Sequence, residues 1–207
     1  MEKNQIYIKC GTEYTQMTKE LLEVSDLSGE IEKKFLAAGI KNSEAEENCH
    51  KMRIGIKPNL VAPMEAYWGG TTHPEVAAGI IEYLQEKDFW NLVIMEGSWV
   101  GDKTEEAYEV CGYRALCEKY QVPFLDMQKE KGVPVQCKDM TLNICKSVLD
   151  VDFLINVPVL KGHCQTKITC ALKNMKGLLP NSEKRRFHAL GLHDPIAHLA
   201  LGIHQDF

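Results

Sequence analysis

Short apolar runs alternate along the chain with longer stretches in which apolar residues recur every three or four positions. Ile6-Tyr7-Ile8 reads as a first strand. Residues 28–39 read as a helix, followed by a charged loop from Lys41 to Lys51. Arg53 to Lys57 reads as a strand that stops at Pro58, which cannot donate to a sheet ladder. Over residues 73–87, Val76, Ile80, Ile81 and Leu84 share one helical face. Thr72 and Glu75 have the spacing of a capping box, and Pro74 suits a first turn.

Leu92 to Met95 reads as a buried strand, and residues 103–119 as a helix opened by a second capping-box pair, Asp102 and Glu105. Val122 to Leu125 is a short strand. Val133 to Cys137 and Leu142 to Cys145 read as a hairpin or as edge strands, and Phe153 to Val157 as a strong strand. Ile168, Ala171, Leu172 and Met175 form a helical stripe ending near Gly177. Asp194-Pro195 opens a last helix through Ile196, Leu199, Ala200 and Ile203.

Strands separated by helices imply parallel pairing with right-handed crossovers. The expectation is therefore one α/β domain over residues 1–207: a mainly parallel sheet, helices on both faces, and a small antiparallel addition. Such sheets carry their sites beyond the carboxyl ends of the strands. Those ends are Lys57-Pro58-Asn59, Glu96-Gly97-Ser98, Asp126 and Pro158 to His163.

Composition narrows the function classes. With 24 Lys and Arg against 29 Asp and Glu, the 207-residue chain has a formal net charge of -5, which argues against general nucleic-acid binding. Apolar residues at 44% and charged residues at 26% exclude a disordered or low-complexity chain. No segment reaches the roughly 18 apolar residues that span a bilayer. Met1 to Gln5 leads into a strand-like run, not a signal peptide, so the expected location is cytoplasmic and no membrane partner is expected. None of the eight cysteines forms a C-x-x-C pair, so no iron–sulfur cluster is expected within the chain. Most of these thiols are expected to be reduced and buried.

Four stretches carry candidate chemistry. Gly97 to Thr104 follows a strand and places Gly97, Lys103 and Thr104 in register with a phosphate loop, but Asp102 stands where the second glycine belongs. A carboxylate there repels phosphate, and Asp102 suits a helix cap. Lys57 and Asn59 display an ammonium and an amide at a strand end, which suits either a bound anion or a solvated turn. Thr71 to Glu75 suits a cap, and the alternative is His73 as a base or ligand in the first turn, where the macrodipole disfavours its protonated form. The densest region runs through Lys161, His163, Cys164, Lys173, Asn174, Lys176, Lys184 to Arg186, and His188. Imidazoles beside lysines suit proton transfer next to a bound anion, whereas a solvated basic face is the structural alternative.

The motifs Lys57–Leu60 (KPNL), Thr72–Glu75 (THPE) and Asp152–Pro180 (DFLINVPVLKGH…ALKNMKGLLP) resemble the bacterial and archaeal family called domain of unknown function 362, over roughly residues 50–200. Members are often joined to a ferredoxin-type iron–sulfur module, and commonly continue past the position of Phe207. The resemblance therefore implies an iron–sulfur association and a short variant or fragment, although this chain lacks C-x-x-C runs. More distantly, the order His163, Lys173, His188 is similar to the nickel-pincer lactate racemases. That similarity implies Lys173 as cofactor anchor or anion clamp, His188 as base or ligand to nickel or another metal, and His163 as acid/base.

The leading expectation is a crevice for a small anionic substrate or cofactor, with proton-transfer or redox-linked chemistry. Lys57, Asn59, Lys161 and Asn174 would bind the ligand, and His163, Lys173 and His188 would carry the reaction. The alternative is a non-catalytic partner or carrier domain that docks to a ferredoxin-like iron–sulfur protein.

Overall fold

A computed structural model describes residues 5–37 and 49–207. The expected N-terminal reading at Met1 to Asn4, the end of the 28–39 helix and most of the Lys41–Lys51 loop lie outside the described residues.

Four parallel strands form the central sheet in the order β3-β2-β1-β6: β1 (Ile54–Pro58), β2 (Leu92–Glu96), β3 (Phe124–Asp126) and β6 (Phe153–Val157). Ile54 to Ile56 run beside Leu92 to Ile94, and Ile54 to Pro58 beside Phe153 to Val157. Alternate residues face opposite layers, as the two-residue period of a strand requires. Ile54, Ile56, Leu92, Ile94, Phe153 and Ile155 bury against α1 (Tyr14–Val24), α2 (Leu27–Ala37), α3 (Pro74–Glu86), α4 (Thr104–Val110) and α5 (Tyr113–Tyr120). Val93, Met95 and Leu154 bury on the other side. There they meet an antiparallel hairpin of β4 (Gly132–Cys137) and β5 (Met140–Cys145), then α8 (Asn181–Leu190) and α9 (His193–Gly202). Covering both faces explains why these parallel strands read as nearly continuous apolar runs. The α/β architecture with its antiparallel addition matches the expectation.

Several elements differ from the sequence reading. Residues 5–10 form no strand, and Ile6 is 84% exposed. The outer edge of β6 is instead occupied by the chain end, where Asn156 N donates to Phe207 O at 2.9 Å and Asp206 N to Leu154 O at 2.9 Å. Helix α1 was not anticipated, because it buries only Leu22 on its own sequence pattern. It docks on α3 at Gly79, where an added Cβ would stand 2.6 Å from Thr15 O. The expected 103–119 helix is two helices, broken at Gly112, whose φ of 77° is the left-handed region that glycine enters freely.

Neither expected capping box forms. The N-caps are His73 and Lys103, without side-chain capping bonds. Thr72 Oγ1 donates to Val157 O at 2.8 Å and accepts from Asn59 N at 2.8 Å, stitching the ends of β1 and β6 together. The Asp102 carboxylate accepts from the Trp99 indole. The expected stripe from Ile168 to Met175 is also not one helix. Ile168 belongs to a second hairpin, β7 (Lys161–His163) with β8 (Lys167–Thr169), and is exposed. Only α7 (Ala171–Asn174) and a 3-10 turn (Met175–Leu178) are helical there, and Leu172 is exposed. A short helix α6 (Lys146–Leu149) follows β5, and a 3-10 turn (Ala66–Trp68) lies between β1 and α3.

Candidate functional site

The strand order reverses at β1, whose neighbours are β2 and β6. Open α/β sheets bind ligands outside the carboxyl ends at such a switch point. A crevice with a cavity volume of about 90 Å³ lies there. Asn59 after β1, Glu96 to Trp99 after β2, Lys161 and His163 on β7, Lys173 and Asn174 on α7, and Lys176 and Lys184 line it.

Its floor is a buried ion pair. Lys57, fully buried, places Nζ 2.6 Å from Glu96 Oε2, 2.6 Å from Pro58 O and 3.4 Å from Asn174 Oδ1. All three ammonium hydrogens therefore have acceptors. Glu96 Oε2 also accepts from Leu60 N at 3.0 Å and Oε1 from Gly97 N at 2.7 Å. Burial holds the Lys57 ammonium below its ordinary value, opposed by the Glu96 charge. Gly177 lies on this pair, where an added Cβ would stand 2.7 Å from Lys57 Nζ and collide with Glu96. The glycine is needed for close approach, since its φ is not left-handed.

Asn174 reinforces the floor. Its Nδ2 reaches Lys57 O at 3.2 Å, Pro58 O at 3.4 Å and Asn156 Oδ1 at 2.8 Å. Lys57 thus lies beneath the crevice, not in its lining, and Asn174 holds strands β1 and β6 rather than offering a free amide.

The walls are cationic. Lys161, Lys173, Lys176 and Lys184 all line the crevice, with Glu96 as the single carboxylate in its lining, and none of the four is ion-paired among the described residues. Lys161 Nζ donates to Asn59 Oδ1 at 3.2 Å and to Gly70 O. Lys184, buried, donates to Gly97 O at 2.7 Å and Ser98 O at 2.9 Å. Lys176 Nζ lies 2.7 Å from His188 Nε2. Lys173 has no hydrogen-bond partner among the described residues. Burial, then Lys173, pushes Lys161 down to about 8; burial, then Lys173 and Lys184, does the same for Lys176. Burial outweighs the Glu96 charge at Lys184, also down to about 8, and burial lowers Lys173.

His163 is oriented by its own hairpin. Its Nδ1 accepts from Gln165 N and Thr166 N, both at 3.1 Å. Two amide donors on Nδ1 leave the ring neutral with its hydrogen on Nε2. Burial and the neighbouring Lys173 and Lys176 charges lower its pKa in the same sense. His163 thus presents its Nε2–H as a hydrogen-bond donor. His188 does not line the crevice; it touches the site through Lys176.

A metal at His188 does not fit this geometry. Its Nε2 faces a lysine, and no group of three or more His, Cys, Asp or Glu side chains converges among the described residues. The phosphate-loop register at Gly97 is filled differently. The Gly97 and Ser98 carbonyls turn inward to Lys184, while Lys103 is 79% exposed and pairs with Glu106.

Of the seven residues that sequence reasoning grouped, Asn59, Lys161, His163, Lys173 and Asn174 line one crevice, whereas Lys57 lies beneath it and His188 outside it. It undervalued Glu96, Lys176, Gly177 and Lys184. Glu96 was legible as a strand end and Lys184 as part of the basic run, but neither signal shows direction.

The family model "Domain of unknown function (DUF362)" matches residues 54–207, and the chain belongs to that family. The thylakoid-associated protein sll1697 of Synechocystis sp. is 27% identical over 136 residues, which is 66% of this chain. The match spans 42% of that relative's length. No solved structure matches the chain significantly. Among the described residues, no helix is long and apolar enough to cross a membrane.

Proposed function

We propose that this member of the family binds a small carboxylate- or phosphate-bearing molecule in the crevice and moves a proton on it. The observation that carries this reading is charge imbalance: four lysines face one cavity whose single carboxylate is already held by Lys57 and two backbone amides. Buried unpaired cations are costly, and a bound anion removes that cost. Fixed neutral acceptors hold Lys161 and Lys184 in place, so little is lost in ordering them on binding. The His163 Nε2–H can donate to a ligand oxygen, and Lys173, with a lowered pKa and no partner, can give or take a proton.

Calorimetric titration with malonate and with inorganic phosphate tests this directly. Binding is expected for the parent protein, weakened by salt, and lost in a folded Lys173→Ala variant. Absence of binding by either anion to the parent protein would overturn the reading.

A further inference from the structure

The four crevice lysines are not equivalent. Lys161, Lys176 and Lys184 each spend hydrogens on neutral acceptors, namely Asn59 with Gly70 O, His188, and the Gly97 and Ser98 carbonyls. Lys173 alone among them has no acceptor in the described residues, yet it is half-buried and lines the cavity. An amine that is neither ion-paired nor hydrogen-bonded, in a desolvated pocket beside other cations, has the environment of a nucleophile rather than a clamp.

We propose that Lys173 forms an imine with the carbonyl carbon of an α-oxo acid held in the crevice. The Nζ lone pair attacks the carbonyl carbon, and the C–O π pair moves to oxygen. That oxygen collects two protons, both from the attacking nitrogen by way of neighbouring donors, and leaves as water. The balance is amine plus carbonyl giving imine plus water, with no change of oxidation state. An α-oxo acid is the matching class because its carboxylate is bonded to the reacting carbon. Lys161, which lines the same crevice as Lys173 and is anchored on Asn59, is held to take that carboxylate. The His163 Nε2–H is available to the departing oxygen.

This inference deepens the anion-site reading and rests on it. The test incubates the intact protein with glyoxylate and cyanoborohydride, then locates carboxymethylated lysines by peptide mass spectrometry. The exposed Lys103 and Lys129 serve as internal references for ordinary surface reactivity. Glycolate, which lacks the carbonyl, is titrated separately by calorimetry. The expected result is Lys173 labelled ahead of both references, saturably in glyoxylate and slowed by glycolate. That preference is lost in Lys173→Arg, while Lys103 labelling is unchanged. Glycolate binding without preferential Lys173 labelling would overturn the imine and leave the anion site standing. Neither binding nor preference would overturn both. Preferential labelling that glycolate does not slow would also overturn the proposal, as accessibility alone.

Discussion

Lys57 Nζ and Glu96 Oε2 meet at 2.6 Å, with the Lys57 side chain fully buried and that of Glu96 4% exposed. The pair joins the carboxyl ends of the two neighbouring strands β1 and β2 directly under a cavity lined by further lysines. Glu96 gathers one ammonium and two backbone amides on its two oxygens, so it organises the strand ends while neutralising the floor.

Removing one partner leaves the other charge buried. Glu96→Ala is expected to cost about 3–5 kcal/mol of unfolding free energy. Lys57→Met combined with Glu96→Gln should recover part of that loss, because no charge stays uncompensated and the amide oxygen still accepts from the backbone. Urea denaturation of the three proteins measures both effects. A Glu96→Ala midpoint equal to the parent's would contradict the role assigned to the pair.

Gly177 gives a separate handle on the same floor. A methyl group there presses on Lys57 Nζ at 2.7 Å and on Glu96. Gly177→Ala is expected to destabilise by about 1–3 kcal/mol through overpacking. It should also weaken malonate binding, which thermal melts with and without malonate will show. An unchanged melt would mean that the 3-10 turn yields freely.

Anion binding should depend on pH with a defined sign. Lys161, Lys176 and Lys184 titrate at about 8, below their ordinary range, because burial disfavours the ammonium form. A bound anion favours that form, so binding takes up protons near pH 8. Affinity falls as pH rises through this point. Titrations between pH 7 and pH 9.5, about one unit and more either side of the transition, in buffers of different ionisation enthalpy report both quantities. Proton release on binding would refute the assignment.

Stability follows a related rule at Lys184. A lysine whose folded pKa is depressed carries its full penalty below about 8, and the penalty is relieved as pH rises toward the unfolded value of about 10.4. The stability difference between the parent and Lys184→Met should therefore shift in the parent's favour from pH 8 upward. Paired denaturation curves at pH 7 and pH 9.5 check the direction, whatever the absolute cost of losing the Gly97 and Ser98 contacts.

His163 should titrate below the ordinary histidine range, because burial and the Lys173 and Lys176 charges disfavour its imidazolium, and its neutral ring should carry the hydrogen on Nε2. Nitrogen-15 NMR of the histidine rings distinguishes the tautomers, and an Nδ1–H form, or a titration above the ordinary range, would contradict the geometry. His163→Ala frees the Gln165 and Thr166 amides. Those two amides should then exchange faster with solvent.

The sequence pattern carried the sheet well where burial is two-sided. Phe153 to Val157 reads as a strand and is one, because alternate residues enter opposite apolar layers. The turn at Lys138-Asp139 joins two partly exposed runs, expected as a hairpin or as edge strands, into a hairpin. The pattern failed where structure depends on distant partners. Thr72 and Asp102 sit at capping-box spacing, yet their oxygens serve Val157, Asn59 and Trp99 instead. Ile6 and Ile8 are apolar and strand-like, but the outer edge of β6 bonds to Asp206 and Phe207, and both isoleucines stay exposed.

Local sequence pattern suffices for a parallel α/β chain whose lysines, histidines and asparagines collect at its strand ends. Both follow from local physics: the period of apolar positions sets the elements, and strand ends must be polar where the ladder stops. The surroundings of each of those groups are set by the folded arrangement. Lys57, Lys173 and Lys184 are chemically identical in the sequence, yet one is saturated beneath the floor, one turns back onto backbone carbonyls and one is left without an acceptor. Apart from the adjacent Pro58 carbonyl, the partners of Lys57 and Lys184 lie 39 to 117 residues away in the chain, and no local pattern encodes such distances.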